Sequence, residues 1–411
     1  MFLTESLRVA FSNLIRRKLR SLLTMLGMIF GVGAVIAMLS IGAGAEEQSL
    51  KIIENLGIRN IIIQAREFKT AELQQIRTES LGLTLRDLEA LQSVLNPQPL
   101  TSAKRVVKAY QVLSETSRSD SRILGVSAPY YRIMNLKLIQ GAFFLPFDEL
   151  SASQVCVLGM SARQKLFGFG EAIDKRVKIN DQWFKVIGVL ADANIEKQEF
   201  EGVKVQNPNN DIYVPITTAI KKFEVDTLED ELNEIILQVA PNADLREQSA
   251  TVSNLMAAMH RYVDDFSLVV PEQLLDQNQK TQRIFNIVMG AIASISLLVG
   301  GIGIMNIMLA SVLERTTEIG LRRAIGARKR DIRLQFMVES LAISLIGGLI
   351  GIATGYTISQ MVAIFSGWNT IITSASVIVS FGVSSMVGLV FGLYPAIQAS
   401  NVDPIECLRY E

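Results

Sequence analysis

Histidine occurs once and cysteine twice in the 411 residues. Two cysteines, Cys156 and Cys407, give no disulfide framework and no zinc-ligand spacing. The single His260 cannot build a metal cluster. It lies in a polar stretch of helical character and reads as a surface histidine. Net charge is also missing: 40 basic and 40 acidic residues cancel. That leaves no overall basic footprint for nucleic acid. No G-x-x-x-x-G-K-[ST] run occurs, so no loop of this sequence can cradle ATP phosphates. No histidine or nucleophile stands in a catalytic spacing, which argues against an enzyme resident in the chain.

The most informative absence is local. No residue is charged between Arg20 and Glu46, between Arg283 and Glu314, or between Glu339 and Asp403. A bilayer core of ~30 Å needs roughly 20 apolar residues per helix. The three stretches therefore predict four transmembrane helices, at 21–44, 286–313, 337–365 and 371–397, the last two joined by the turn SGWN. The first run is too long for the apolar region of a cleaved signal peptide. Arg8, Arg16, Arg17, Lys18 and Arg20 precede span one. Arg315, Arg322, Arg323, Arg328, Lys329, Arg330 and Arg333 lie between spans two and three. By the positive-inside rule both termini and the 314–336 loop are cytoplasmic, as is the 398–411 tail, and the 45–285 segment lies outside. Residues 1–20 read as an amphipathic helix on the inner membrane surface, with Leu3, Leu7, Phe11 and Leu14 sharing a face. A plain cytoplasmic extension of span one fits equally.

The 45–285 segment reads as mixed α/β. β-Branched content predicts strands at 60–64, 106–112, 121–126, 154–158, 175–179, 183–190, 212–215, 234–239 and 266–270. Gly141, Gly159, Gly168, Gly170 and Gly188 punctuate the middle of this run. Thr84 and Asp87 frame a helix start. A helix is expected over 244–260, and a polar helix is expected to run from about 271 into span two. A β-rich piece at about 118–200 reads as an insertion into a βα-type layer, giving two subdomains.

Small residues recur every fourth position in the spans: Gly27 and Gly31, then Gly347, Gly351 and Gly355, then Gly388 and Gly392. Such faces let helices approach closely. Asn306 is a polar group inside span two and should seek an interhelical partner. Glu339 falls at the cytoplasmic start of span three, either functional or at headgroup level. The segment 314–328 carries the most specific pattern. Glu318 and Arg322 form an i,i+4 pair with the acid first. Ile319, Ala324 and Ile325 give apolar surface, and Gly326 can end the helix with a positive φ. From the residues alone, this is either a helix that docks another protein or a basic loop that only sets orientation.

The run GGIGIMNIMLASVLERTTEIGLRRAIGA at 300–327 resembles the FtsX-like permease domain of MacB-type ABC transporters. So do GLYPAIQASNVDPIECLR at 392–409 and NLIRRKLRSLLTMLG at 13–27. Within 45–285, VCVLG at 155–159, KLFG at 165–168, FKVIGV at 184–189 and IYVP at 212–215 resemble the periplasmic core domain of that family, with its porter and sabre subdomains. Asp174 departs from the family, which usually has glycine there. The resemblance implies a homodimeric permease that binds no cofactor itself, with ATP and magnesium held by a separate ABC ATPase. It assigns ATPase docking to Glu314, Arg315, Glu318, Ile319, Gly320, Arg322, Arg323 and Gly326. It implies an export or efflux role in the bacterial cytoplasmic membrane. In double-membraned hosts it also implies a periplasmic adaptor and an outer-membrane channel. An FtsX-like regulatory subunit, whose outer domain is usually much shorter, and a lipoprotein-release permease are the alternatives.

Overall fold

The computed structural model describes residues 18–115, 117–193, 199–200, 203–204, 207–224, 228–366 and 370–403. Most of the helix expected over 1–20, and Cys407 in the tail, lie outside them. The chain divides into two compact units. Residues up to Gln48 and from Asn278 onward form one, and Ser49–Gln277 form the other.

The helices of the first unit begin with α1 (Lys18–Leu56). The α/β unit then follows in chain order. It contains β1 (Asn60–Ala65), α2 (Thr70–Glu79), α3 (Leu85–Val94), β2 (Leu100–Val107), β3 (Val112–Leu113), β4 (Arg118–Ser119) and β5 (Arg122–Val126). Next come α4 (Tyr130–Ile133), β6 (Leu138–Gly141), α5 (Pro146–Leu150), β7 (Val155–Leu158), α6 (Met160–Phe167), β8 (Arg176–Ile179) and β9 (Gln182–Leu190). A small hairpin, β10 (Glu199–Phe200) and β11 (Val203–Lys204), leads to β12 (Asp211–Pro215), α7 (Ile216–Lys222), β13 (Glu234–Gln238), α8 (Leu245–Met259) and β14 (Phe266–Val269). The chain closes with α9 (Pro271–Glu314), α10 (Thr316–Ala324), α11 (Lys329–Ser366) and α12 (Ser374–Asn401). α1, α9, α11 and α12 are each long and apolar enough to cross a membrane. As expected, the polar helix before span two is continuous with it in α9.

Twelve of the strands form one sheet in the order β14-β1-β13-β2-β5-β12-β7-β9-β8-β3-β4, with β6 on β9, while β10 and β11 pair only with each other. The β-rich segment is thus stitched into the same sheet as the βα layer, through β5 on β2 and β5 on β12. The triple isoleucine of β1 shows why its sequence is apolar without alternation. Ile61 and Ile63 enter a core with Leu88 and Leu91 of α3 and Val252 and Met256 of α8. Ile62 enters a second core on the opposite face, with Leu124, Phe144 and Tyr213. Strands covered on both faces read as continuous hydrophobic runs. A third core, around Phe184, Val186, Ile179 and Leu166, lies under β7, β8 and β9.

Two local readings need correction. The strand expected at 106–112 lies earlier, as β2, and stops at Val107. Its centre carries Lys104 and Arg105, both buried. Lys104 faces Glu234 across the β2–β13 pair and forms a salt bridge with it. His260 is not on the surface; it is 3% exposed. Its Nδ1 lies 2.7 Å from Asp265 Oδ1 and its Nε2 3.6 Å from Asp87 Oδ2. Ser80 Oγ lies 3.2 Å from the same Nδ1 and donates to Asp265 Oδ2 at 2.6 Å. Asp87 also accepts the backbone N–H of Thr84 at 2.7 Å, so the expected helix cap is part of this buried cluster. Finally, Asp174 adopts φ 65°. That left-handed conformation favours glycine, which accounts for the turn that makes the substitution conspicuous.

Candidate functional site

α10 is a short helix between two spans, and its sequence explains its limits. The Glu318–Arg322 ion pair forms within it at 2.6 Å, the acid-first orientation that supports a helix. Gly326 takes φ 109° just beyond its end, and the Ala327 N–H reaches back to the Arg322 carbonyl at 3.0 Å. Such a left-handed residue after the last turn is a common helix stop.

The two faces of α10 differ. Ile319 and Gly320 are buried. Ile319 packs in a core with Met308, Val312, Ile332, Phe336, Ala396 and Ala399. Leu321 is 54% exposed and Ile325 80% exposed. Five basic residues around the helix are committed to the bundle. Arg315 pairs with Glu339 at 3.4 Å. Arg322 donates to Gln335 Oε1 at 2.7 Å, and Arg323 donates to the Val402 carbonyl. Arg333 donates to Ser400 Oγ at 2.9 Å and Lys329 to Asn401 Oδ1 at 3.3 Å. These contacts tie α10 and the start of α11 to the end of α12. Glu339 is 5% exposed. It is therefore an internal partner of Arg315. A buried carboxylate requires such a partner.

The small-residue faces meet one another. A Cβ built on Gly27 would lie 2.6 Å from the Gly300 Cα, so α1 and α9 touch backbone to backbone. At Gly31 it would meet the Leu297 side chain at 2.8 Å. Gly347, Gly351 and Gly355 of α11 face Met28, Val32 and Ile36 of α1 in step. At Gly351 a Cβ would meet Val32 Cβ at 2.8 Å and the Ile29 carbonyl oxygen at 3.0 Å. Gly388 and Gly392 of α12 lie against Ser344 and Ser340 of α11, and Gly348 of α11 lies against Ser384. Ser384 Oγ donates to the Ser344 carbonyl at 2.7 Å. Close approach of this kind is how membrane helices gain dispersion contacts when lipid is as apolar as their side chains. Asn306 does not join this packing: it is exposed, and its amide has no hydrogen-bond partner among the described residues.

Sequence reasoning placed Ile319 and Gly320 on a docking surface, yet both face inward. It did not single out Leu321, nor the use of Arg315 and Arg322 as internal tethers. The signal for Leu321 and Ile325 was present as an i,i+4 apolar pair on one face. Their exposure could not be read without knowing which side meets the bundle.

Residues 21–255 match the family model of the MacB-like periplasmic core domain, and 290–404 match that of the FtsX-like permease C-terminal region. The chain belongs to the MacB/FtsX-type family of ABC transporter permeases. The ABC transporter permease YknZ of Bacillus subtilis is 32% identical over 421 residues, covering 100% of both chains. The macrolide export ATP-binding/permease protein MacB of Bdellovibrio bacteriovorus is 35% identical over 416 residues. That match takes in 99% of this permease but only 62% of the relative. The solved periplasmic region of MacB from Actinobacillus actinomycetemcomitans is 18% identical, covers 56% of this chain and 98% of its own, and superposes with a TM-score of 0.44. With four spanning helices, this permease is a multi-pass protein of the cytoplasmic membrane.

Proposed function

We propose that this chain is the homodimeric permease subunit of a MacB-like export system, driven by an ABC ATPase on a separate polypeptide. In this reading ATP and magnesium bind to the ATPase. Its closure pushes on α10, and movement passes along α1 and α9 to an extracytoplasmic α/β unit that acts on cargo outside the bilayer. Where the host has an outer membrane, that unit works with a periplasmic adaptor and an outer-membrane channel.

The observation that carries this reading is the two-sidedness of α10. One face and its basic residues are fastened to the bundle, while Leu321 and Ile325 stand free for a partner. A helix held this way can pass on a push, whereas a loop that only sets orientation needs no buried face. The full-length agreement with YknZ, whose name is that of a permease alone, supports an ATPase on another chain. The extent of the α/β unit, Ser49–Gln277, favours transport over the regulatory FtsX-like role.

Docking is tested with the double substitution Leu321→Glu, Ile325→Glu. Reversing Arg322 and Arg323 would be a poorer probe, since both hold α10 in place. The double variant should insert normally but fail to retain the ATPase in a pull-down from membranes. Retention at full strength would exclude α10 as the docking helix.

A further inference from the structure

The side of α9 facing away from the bundle has an order that lipid contact does not require. Ile292, Val299, Asn306 and Leu313 are seven residues apart. Ile295, Ile302 and Leu309 each fall three residues after one of the first three. This is the 3-4 spacing of a coiled-coil seam, with the first set at a and the second at d. All are exposed except Leu309, which is half-buried. The opposite side, with Ala293, Leu297, Gly300, Ile304, Met308 and Val312, is buried. From Gly300 to Leu313 the exposed positions are Ile302, Asn306 and Leu313, and every one lies on the seam.

Asn306 decides what covers that seam. It lies eight residues before the end of α9 at Glu314, about 12 Å along the helix, and so within the hydrocarbon. There an amide with two donors and an acceptor is costly unless another polar group meets it. No group among the described residues does so. A carboxamide is self-complementary: across a two-fold axis, each N–H can donate to the other's carbonyl. A single asparagine at an a position specifies the register of the strands and their number. Interhelical amide bonds also contribute in membranes, at about 1 kcal/mol.

We propose that α9 pairs in parallel with α9 of a second copy along this seam, with Asn306 opposite Asn306 as the register-setting contact. The proposal rests on the homodimeric reading above and adds to it the surface and the register.

The test uses the full chain in native membranes, with Cys156 and Cys407 replaced by serine. Single cysteines are introduced at Val299, Ile302 and Leu313 on the seam, and at Ile287 and Ser294 on exposed positions away from it. Mild oxidation should give disulfide-linked dimers at 299, 302 and 313 and none at 287 and 294. Equal or stronger linkage at 287 and 294, or none at the seam, overturns the proposal. Light scattering of the solubilised chain separates the two levels. A single copy removes the homodimeric reading and the seam together, while two copies without seam disulfides remove the seam alone. In addition, Asn306→Leu should lower the disulfide yield at Val299→Cys several-fold, and Asn306→Gln should retain most of it. Equal yields in the two variants would show that the amide does not set the register.

Discussion

His260 is held between Asp87 and Asp265 inside the α/β unit, and that placement makes its proton a matter of stability. Burial alone would lower its pKa, but hydrogen bonds and charge from Asp265 and Asp87 outweigh this and raise it to about 9. Burial also pushes Asp265 upward, but bonds from His260 and Ser80 bring it below its ordinary value. A histidine pKa above its unfolded value of 6.5 contributes stability that is complete below about pH 6.5 and is lost as pH rises through about 9. The contribution of Asp265 is present above its ordinary value of 3.8 and is lost as pH falls. The α/β unit should therefore melt at progressively lower temperature from pH 7 to pH 10. His260→Gln should melt lower at pH 7 and show a flatter dependence. Melting curves of the full chain in detergent check this, and parallel slopes for the two proteins would contradict it. The sequence could not reveal the cluster, because Ser80 lies 180 residues from His260. A lone histidine in a polar helix looks the same whether its neighbours are water or carboxylates.

At the scale of elements, strands were legible where β-branched residues run together, as in β1, β7 and β9. They were misplaced where charge enters the sheet. Lys104 and Glu234 sit at facing positions of β2 and β13, both buried, and a lysine and an arginine in mid-strand do not look like a core. Removing one member of such a pair leaves an uncompensated charge, which costs about 3–5 kcal/mol, whereas replacing both with apolar groups can be neutral. Lys104→Met should accordingly destabilise the chain by that amount. Adding Glu234→Leu should restore most of the loss. Chemical denaturation of the three proteins gives the measurement, and additive losses in the double variant would argue against a coupled pair. The small-residue spacing in the spans was readable as a packing signal, but the partner of each glycine was not, since helix order in a bundle leaves no periodic trace.

For the whole molecule, the division into one span, a large α/β unit and three further spans follows from where charge is missing. The single sheet running through the α/β unit does not, because strand order depends on pairings between distant segments, such as β2 with β13. The span-one and span-three helices are joined along Gly347, Gly351 and Gly355. Gly351→Leu would drive a side chain into Val32 and the Ile29 carbonyl, at ~1–3 kcal/mol or more for overpacking. In a complex reconstituted with the ATPase proposed above, this variant should show reduced coupling of ATP hydrolysis to the proposed transport, while the His260-dependent melting of the α/β unit stays unchanged. Full coupling would indicate that the α1–α11 contact carries no part of the movement.

The crossings of α11 with α12 place a glycine opposite a serine three times: Gly348 with Ser384, Ser344 with Gly388, and Ser340 with Gly392. Each crossing has room for one hydroxymethyl group and no more. A lineage can therefore exchange glycine and serine between the two helices at any of these levels, but it cannot enlarge one side alone. Drift at these six positions should accordingly come as compensated pairs, so that the contact is inherited as a set of sums rather than as a set of residues.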